Sequence, residues 1–128
     1  MENYHDLLNK QKAFFRSGKT KDIDFRLKAL EKLRDGIKAY EQKIMETVKL
    51  ELNKSEFEAY STEVGVVLSE IRFCQKHLRS WVKPKRVKTP LTHIGSVSYI
   101  YPDPYGVTLI IAPWNYPFQL AIAPLIGA

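Results

Sequence analysis

Apolar side chains recur at intervals of three and four residues over the first two thirds of the chain, the period of an amphipathic helix. The first such stretch covers residues 3–17 and is expected to end near Gly18. A second, much longer stretch begins immediately after Asp22, which is a typical helix-capping residue, and ends at Asn53. Each pattern predicts a helix with one packed face and one solvated face, joined by a short helix-to-helix turn.

Residues 55–82 continue the helical pattern. Ser55 and Glu58 have the spacing of a capping box for a short turn, and Glu63 is expected to open the last long helix. Cys74 lies on the apolar stripe of that helix, where a cysteine is typically an inert core side chain rather than a nucleophile. The acidic side chains of this region are assigned to capping or to the surface and not to an acid/base pair: Glu56, Glu58, Glu63 and Glu70.

A basic segment bounded by Pro84 and Pro90 follows the helices and carries much of the net charge of +6. It has no interleaved aromatic residues of the kind that stack on bases, so it is interpreted as a solvated connector and not as a nucleic-acid site. Residues 96–101 then alternate small polar and larger apolar side chains, which predicts a half-exposed strand. Residues 102–106 form a turn that leads into the last part of the chain.

No charged residue occurs from position 104 to position 128. The β-branched run at 107–111 predicts a strand buried on both faces, and Pro113 and Pro117 predict a stiff loop at its carboxyl end. Ligands of open α/β sheets bind at that end of the strands. From Gln119 onward the sequence predicts an almost wholly apolar helix, and this helix and the lone strand both suggest that the polypeptide is incomplete.

The predicted loop contains one polar side chain, Asn115, between Trp114 and Tyr116. Its amide N–H groups can be aimed without adding a charge, which suits stabilisation of an oxyanion. Asparagine is also a common turn residue that bonds its own backbone, and the local chemistry leaves both interpretations open.

The run PYGVTLIIAPWNYPFQLAIAPLIGA, and above all its WNYPF core, resembles the start of the catalytic half of NAD(P)-dependent aldehyde dehydrogenases, especially the class 3 branch. Upstream, RSGKT, the long helix and the LELNKSEFEAYSTEV segment resemble the amino-terminal region of the same branch in order and spacing. Many class 3 relatives have glycine and threonine where this chain has Ala112 and Pro113, which leaves the subclass and the choice between NAD and NADP open.

The resemblance implies an enzyme that oxidises an aldehyde to a carboxylic acid through a cysteine thiohemiacetal and thioester. Asn115 matches the asparagine whose side chain stabilises the oxyanion, and Tyr116 matches a position that lines the aldehyde tunnel. The family's nucleophilic cysteine and glutamate base lie outside this sequence, so this chain by itself is expected to be inactive. The positions that match the segment bordering the nicotinamide end of NAD or NADP are Ile111, Ala112, Pro113 and Trp114.

The fold class expected from the pattern and the resemblance is α/β: the helical amino-terminal part, a β-hairpin and the first central strand of an aldehyde dehydrogenase-like Rossmann-type fold. The expected division is 1–83, helical; 84–105, a connector and a β arm of the type used in oligomerisation; and 106–128, the strand, the active-site loop and the start of a helix. The resemblance also implies a homodimer.

The single cysteine excludes an intrachain disulfide framework, and the amino terminus lacks a secretion signal, so a cytoplasmic location is expected. The spacing of histidine and cysteine predicts no metal site. Two alternatives have no catalysis: a membrane-associated protein, because the uncharged carboxyl-terminal run approaches spanning length, and a helical interaction module. Prolines in that run argue against a continuous membrane span.

Overall fold

The computed structural model describes residues 3–128, and over these residues the chain forms five α-helices and one two-stranded antiparallel sheet. The elements are α1, Tyr4–Arg16; α2, Ile23–Leu52; α3, Glu56–Ala59; α4, Gly65–Trp81; β1, Lys85–Val87; β2, Ser98–Ile100; and α5, Pro117–Gly127.

Local capping sets the ends of the long helix α2, as the sequence predicts. The Asp22 carboxylate accepts a hydrogen bond from the backbone N–H of Phe25 at 2.6 Å, which satisfies one of the unpaired donors of the first turn. Asn53 closes the helix in the left-handed conformation, with φ 53°. Between α1 and α2 the chain turns at Gly18, which has φ 76°, so the predicted helix-to-helix turn is confirmed.

The hydrophobic core lies where α2, α4 and α5 pack together. Cys74 is one of its buried side chains, which confirms the interpretation of this cysteine as a core residue. Two large apolar side chains of these helices are less covered: Tyr40 of α2 is 60% exposed, and Trp81 of α4 is 42% exposed. The buried apolar side chains of the three helices are Ile37, Met45, Val48, Val67, Leu68, Ile71, Cys74 and Ile126.

The prediction that Glu63 opens a separate helix is wrong. A π-helical turn, Tyr60–Val64, joins α3 directly to α4 without a break. The Gly65 N–H bonds to the Tyr60 carbonyl five residues earlier, and a β-carbon at position 65 would lie only 3.0 Å from that oxygen. The absence of a side chain at Gly65 therefore allows this wider turn to form.

The expected β-hairpin is confirmed, and part of the basic connector forms its first strand. Strands β1 and β2 pair antiparallel, with Lys85 opposite Ile100 and Val87 opposite Ser98. Strand β1 is exposed along its whole length, in agreement with the expectation of a solvated segment. The strand predicted over 96–101 is confirmed at Ser98–Ile100.

The predicted strand at 107–111 does not form in the described structure. Leu109 and Ile111 are 83% and 86% exposed instead of buried. A strand needs a hydrogen-bonded neighbour, and among residues 3–128 the only sheet pairs β1 with β2. Strand propensity without a pairing partner therefore leaves this segment irregular.

Candidate active-site loop

The loop at 112–116 bends just before α5 and leaves its candidate groups open. Asn115 is exposed, and no residue among 3–128 forms a hydrogen bond with its side-chain amide. The interpretation of this asparagine as a turn residue bonded to its own backbone therefore has no support from the described contacts. Trp114 is 88% exposed, Pro113 is exposed, and Ala112 is half-buried.

The buried side chain of Lys54 contacts the loop at Asn115 and Tyr116. Its ammonium group is buried and donates a hydrogen bond to the backbone carbonyl of Asn115 at 3.2 Å. The same nitrogen donates to Oε1 of Glu63 at 2.7 Å. It also lies 3.8 Å from the centre of the Tyr116 ring, a cation–π contact. Three donors on one ammonium group thus face three partners, and two of these belong to the loop.

Glu63 contacts the chain just after the loop, in the first turn of α5. Its side chain is completely buried, and Oε2 accepts a hydrogen bond from the backbone N–H of Gln119 at 2.8 Å. Gln119 is the third residue of α5, and Tyr116 at the start of that helix provides no side-chain cap. The carboxylate therefore takes the place of a capping side chain, and its negative charge faces the positive end of the helix dipole.

Two local features of the backbone place the ion pair of Lys54 and Glu63 in the protein interior. The left-handed turn at Asn53 ends α2 immediately before Lys54, so the next side chain leaves the helical path. The π-helical turn places Glu63 inside, whereas its neighbour Ser61 is exposed. The sequence does not reveal either role. Glu63 is not on the surface and caps α5, 56 residues away, rather than its own helix, and Lys54 bonds a carbonyl 61 residues away.

Cys74 does not have the environment of a catalytic nucleophile. Burial raises the pKa of its thiol, and the Glu70 carboxylate, 3.8 Å from the sulfur, raises that pKa further. A nucleophilic cysteine needs the opposite environment, one that favours the thiolate. The thiol therefore stays protonated and inert near neutral pH.

Within the described part of the chain, no group of three histidine, cysteine, aspartate or glutamate side chains could hold a metal ion. The helices between residues 3 and 128 include none that is both long enough and apolar enough to cross a membrane.

Comparison with known proteins places this loop in a family. The sequence profile described as "Aldehyde dehydrogenase family" matches residues 2–128, nearly the whole chain. This chain belongs to the aldehyde dehydrogenase family. The resemblance noted from the WNYPF loop is thereby confirmed.

Individual aldehyde dehydrogenases agree with this assignment. A protein named "4,4'-diaponeurosporen-aldehyde dehydrogenase" from Staphylococcus aureus is 51% identical over 91% of this chain and 26% of its own length. A Canis lupus familiaris protein named "Aldehyde dehydrogenase, dimeric NADP-preferring" is 40% identical over 100% of this chain and 28% of its own length. This chain therefore spans about a quarter of the length of these relatives.

A solved structure supports the fold. The structure described as "Substrate bound state of Staphylococcus Aureus AldH" matches with a TM-score of 0.94 and 47% identity. The match covers 99% of this chain and 28% of that one. The helices and the two-stranded hairpin are thus the arrangement found in the amino-terminal part of an aldehyde dehydrogenase.

Proposed function

We propose that the whole polypeptide carrying this chain oxidises an aldehyde to a carboxylic acid with NAD or NADP, and that Asn115 stabilises the oxyanion. One observation carries the proposal: the Asn115 amide is exposed and unbonded among the described residues, while the backbone around it is fixed by buried charges. An oxyanion donor must be free to bond yet held in place before the reaction begins.

The chemistry assigned to Asn115 follows from the charge that develops on an aldehyde. Addition of a cysteine thiolate to the carbonyl carbon turns the carbonyl oxygen into an oxyanion of a thiohemiacetal, and a neutral amide N–H stabilises that charge without a proton transfer. From the resemblance, we expect the nucleophilic cysteine and the glutamate that activates water for thioester hydrolysis to lie outside these 128 residues. We accordingly expect this chain alone to be inactive. Tyr116 is proposed to line the aldehyde path beside Asn115.

The residues assigned to the cofactor suit only one end of it. Ile111 and Trp114 are exposed apolar side chains in a segment without charge, which suits the uncharged nicotinamide amide and its ring edge but not a pyrophosphate. The proposed contacts therefore come from Ile111, Ala112, Pro113 and Trp114 at the nicotinamide end. When bound, NAD or NADP would accept the hydride from the aldehyde carbon.

Assembly and location are proposed on separate grounds. We infer a homodimer in which the exposed hairpin of β1 and β2 contributes to subunit association, because the canine relative is named dimeric. The single cysteine suits a reducing cytoplasm.

The decisive experiment compares the full-length polypeptide with its Asn115→Ala variant. Reduced cofactor is followed by absorbance with a series of aliphatic and aromatic aldehydes, and cofactor affinity is measured by quenching of protein fluorescence. We expect Asn115→Ala to lower kcat by about 100- to 1,000-fold, as loss of one oxyanion donor typically does. Cofactor affinity should stay nearly unchanged, because the substitution removes no group assigned to the cofactor.

Asn9→Ala is the matched control, since Asn9 is also an exposed asparagine but lies on α1. Its kcat should equal that of the unmodified protein. A wild-type protein that reduces neither cofactor with any aldehyde would exclude the proposed activity. Full activity of Asn115→Ala would exclude the role of Asn115 while leaving the activity in place.

A further inference from the structure

We propose that Lys54 and Glu63 are positioning residues for the Asn115 loop, setting where the side-chain amide of Asn115 meets the substrate. This inference rests on the proposed function. Neither side chain is expected to touch the aldehyde, because Glu63 is completely buried and Lys54 is only 8% exposed. Both act through the backbone of the loop.

Two hydrogen bonds fix the backbone at and shortly after Asn115, the proposed oxyanion donor. Lys54 bonds the carbonyl of Asn115 itself, and Glu63 bonds the N–H of Gln119 on the other side of Pro117. The ion pair between the two side chains, 2.7 Å long, ties these two anchors together. Because Pro113 and Pro117 stiffen the backbone on either side of Asn115, fixing its carbonyl also restricts its side chain.

The ion pair connects two parts of the chain with different tasks. Lys54 and Glu63 come from the helical amino-terminal part, whereas the atoms they bond belong to the loop and the first turn of α5. The side chains that form the buried apolar core are separate residues, such as Val67 and Ile71. A neutral side chain at position 54 can therefore keep the core packing and still release the loop carbonyl.

The test uses Lys54→Met in the full-length polypeptide, alone and combined with Asn115→Ala. Methionine replaces the long apolar stem of lysine but donates no hydrogen bond. We expect kcat to fall about 100-fold, the loss that a displacement of about 1 Å in a catalytic group produces. Cofactor affinity should change by less than about twofold, because the anchored atoms lie outside the proposed cofactor contacts.

The combined variant separates positioning from general structural support. If Lys54 acts through Asn115, adding Lys54→Met to Asn115→Ala should lower kcat by less than about twofold further, since the positioned group is already gone. Equal losses in the two backgrounds would overturn the inference, as would a normal kcat for Lys54→Met.

Glu63→Gln provides a second variant of nearly the same size, which decides the question if Lys54→Met does not fold. Lys54 and the Gln119 N–H bond different oxygens of the Glu63 carboxylate. Glutamine replaces one of these oxygens with an NH2 group, which cannot accept, so one anchor is lost. We expect a loss in kcat of about tenfold in the wild-type background, and almost none in Asn115→Ala. An unchanged kcat for Glu63→Gln would overturn the inference.

Asp24→Asn is the matched control, because it removes a carboxylate from an exposed ion pair, with Arg79, that lies apart from the loop. Its kcat should be that of the wild type. An inactive wild type would remove the proposed function and this inference together. An active wild type with multiplicative losses would remove only the positioning role.

Discussion

At the level of single residues, the Lys54–Glu63 pair combines deep burial with complete hydrogen bonding. Each carboxylate oxygen of Glu63 has its own partner, and the ammonium group of Lys54 has a carboxylate, a carbonyl and an aromatic ring. Removing two charges from water is costly, and only such complete pairing offsets the cost. The pair is therefore better explained by the geometry it imposes on the loop than by a gain in stability.

Because each buried charge compensates the other, substitutions of Lys54 and Glu63 should have strongly coupled effects on the free energy of unfolding. Lys54→Met should lower the free energy of unfolding by about 3–5 kcal/mol, because it leaves the Glu63 carboxylate buried without a counter-ion. Adding Glu63→Gln should recover part of that loss, since the uncompensated charge disappears. Urea unfolding of the two single variants and the double variant measures the coupling. Simple additivity of the two losses would contradict it.

The environment of Cys74 predicts how its reactivity depends on pH. Burial and then the Glu70 carboxylate raise its pKa, so the folded state holds the thiol proton more tightly than the unfolded state does. The protonated thiol of Cys74 therefore contributes fully to the stability of the folded state below the unfolded pKa, about 8.5. This contribution is lost as the pH rises through the higher pKa of the folded state.

Alkylation of the folded chain with iodoacetamide checks this prediction. The rate should be slow at neutral pH and should keep rising above pH of about 8.5, whereas the unfolded chain levels off near its ordinary pKa. The denatured protein is the control for reagent quality. Rapid labelling at neutral pH would show that the thiol is neither buried nor protonated.

At the level of elements, the sequence predicts what local interactions determine. The bounds of α1 and α2 follow from periodicity and from caps within three residues of the helix end, such as Asp22 with Phe25. The π-helical turn was missed, because a contiguous helical pattern does not show where one extra residue enters a turn. Lys54 and Glu63 were missed for a related reason: their burial depends on a loop far along the chain.

Gly65 and Gly36 form a matched pair that tests the π-helical turn. A β-carbon at Gly65 would lie 3.0 Å from the Tyr60 carbonyl and 3.1 Å from its ring, whereas one at Gly36 would meet nothing within 4 Å. Gly65→Ala should therefore lower the free energy of unfolding by about 1–3 kcal/mol through crowding. Gly36→Ala, in the middle of α2, should raise it by up to about 1 kcal/mol through helix propensity.

Thermal and urea unfolding of both alanine variants gives the comparison directly. Because the substitution is the same and both glycines are helical, the difference between the two results isolates the contact with Tyr60. Stabilisation of similar size at both positions would contradict the close approach at Gly65.

At the scale of the whole molecule, the core and the carboxyl-terminal segment differ in how completely they are covered. Helix α5 is only partly covered, with Ile126 7% exposed and Leu125 46% exposed, whereas Leu109 and Ile111 are 83% and 86% exposed. Residues 107–111 also make no backbone hydrogen bonds within residues 3–128. Strand-forming residues whose side chains are exposed and whose backbone groups are unpaired can pair with a strand of another chain.

This combination predicts that the 128-residue chain self-associates through 107–111. Leu109→Lys places a charge in the middle of the unpaired segment and should shift the chain toward monomer, because charged side chains oppose strand pairing. Leu50→Lys is the control: Leu50 is 86% exposed, close to the 83% of Leu109, but it lies in helix α2 and not in an extended segment without backbone hydrogen bonds. Sedimentation velocity over a range of concentrations separates the cases. If exposed apolar area alone drives association, both substitutions will reduce it equally; if unpaired backbone is also required, only Leu109→Lys will.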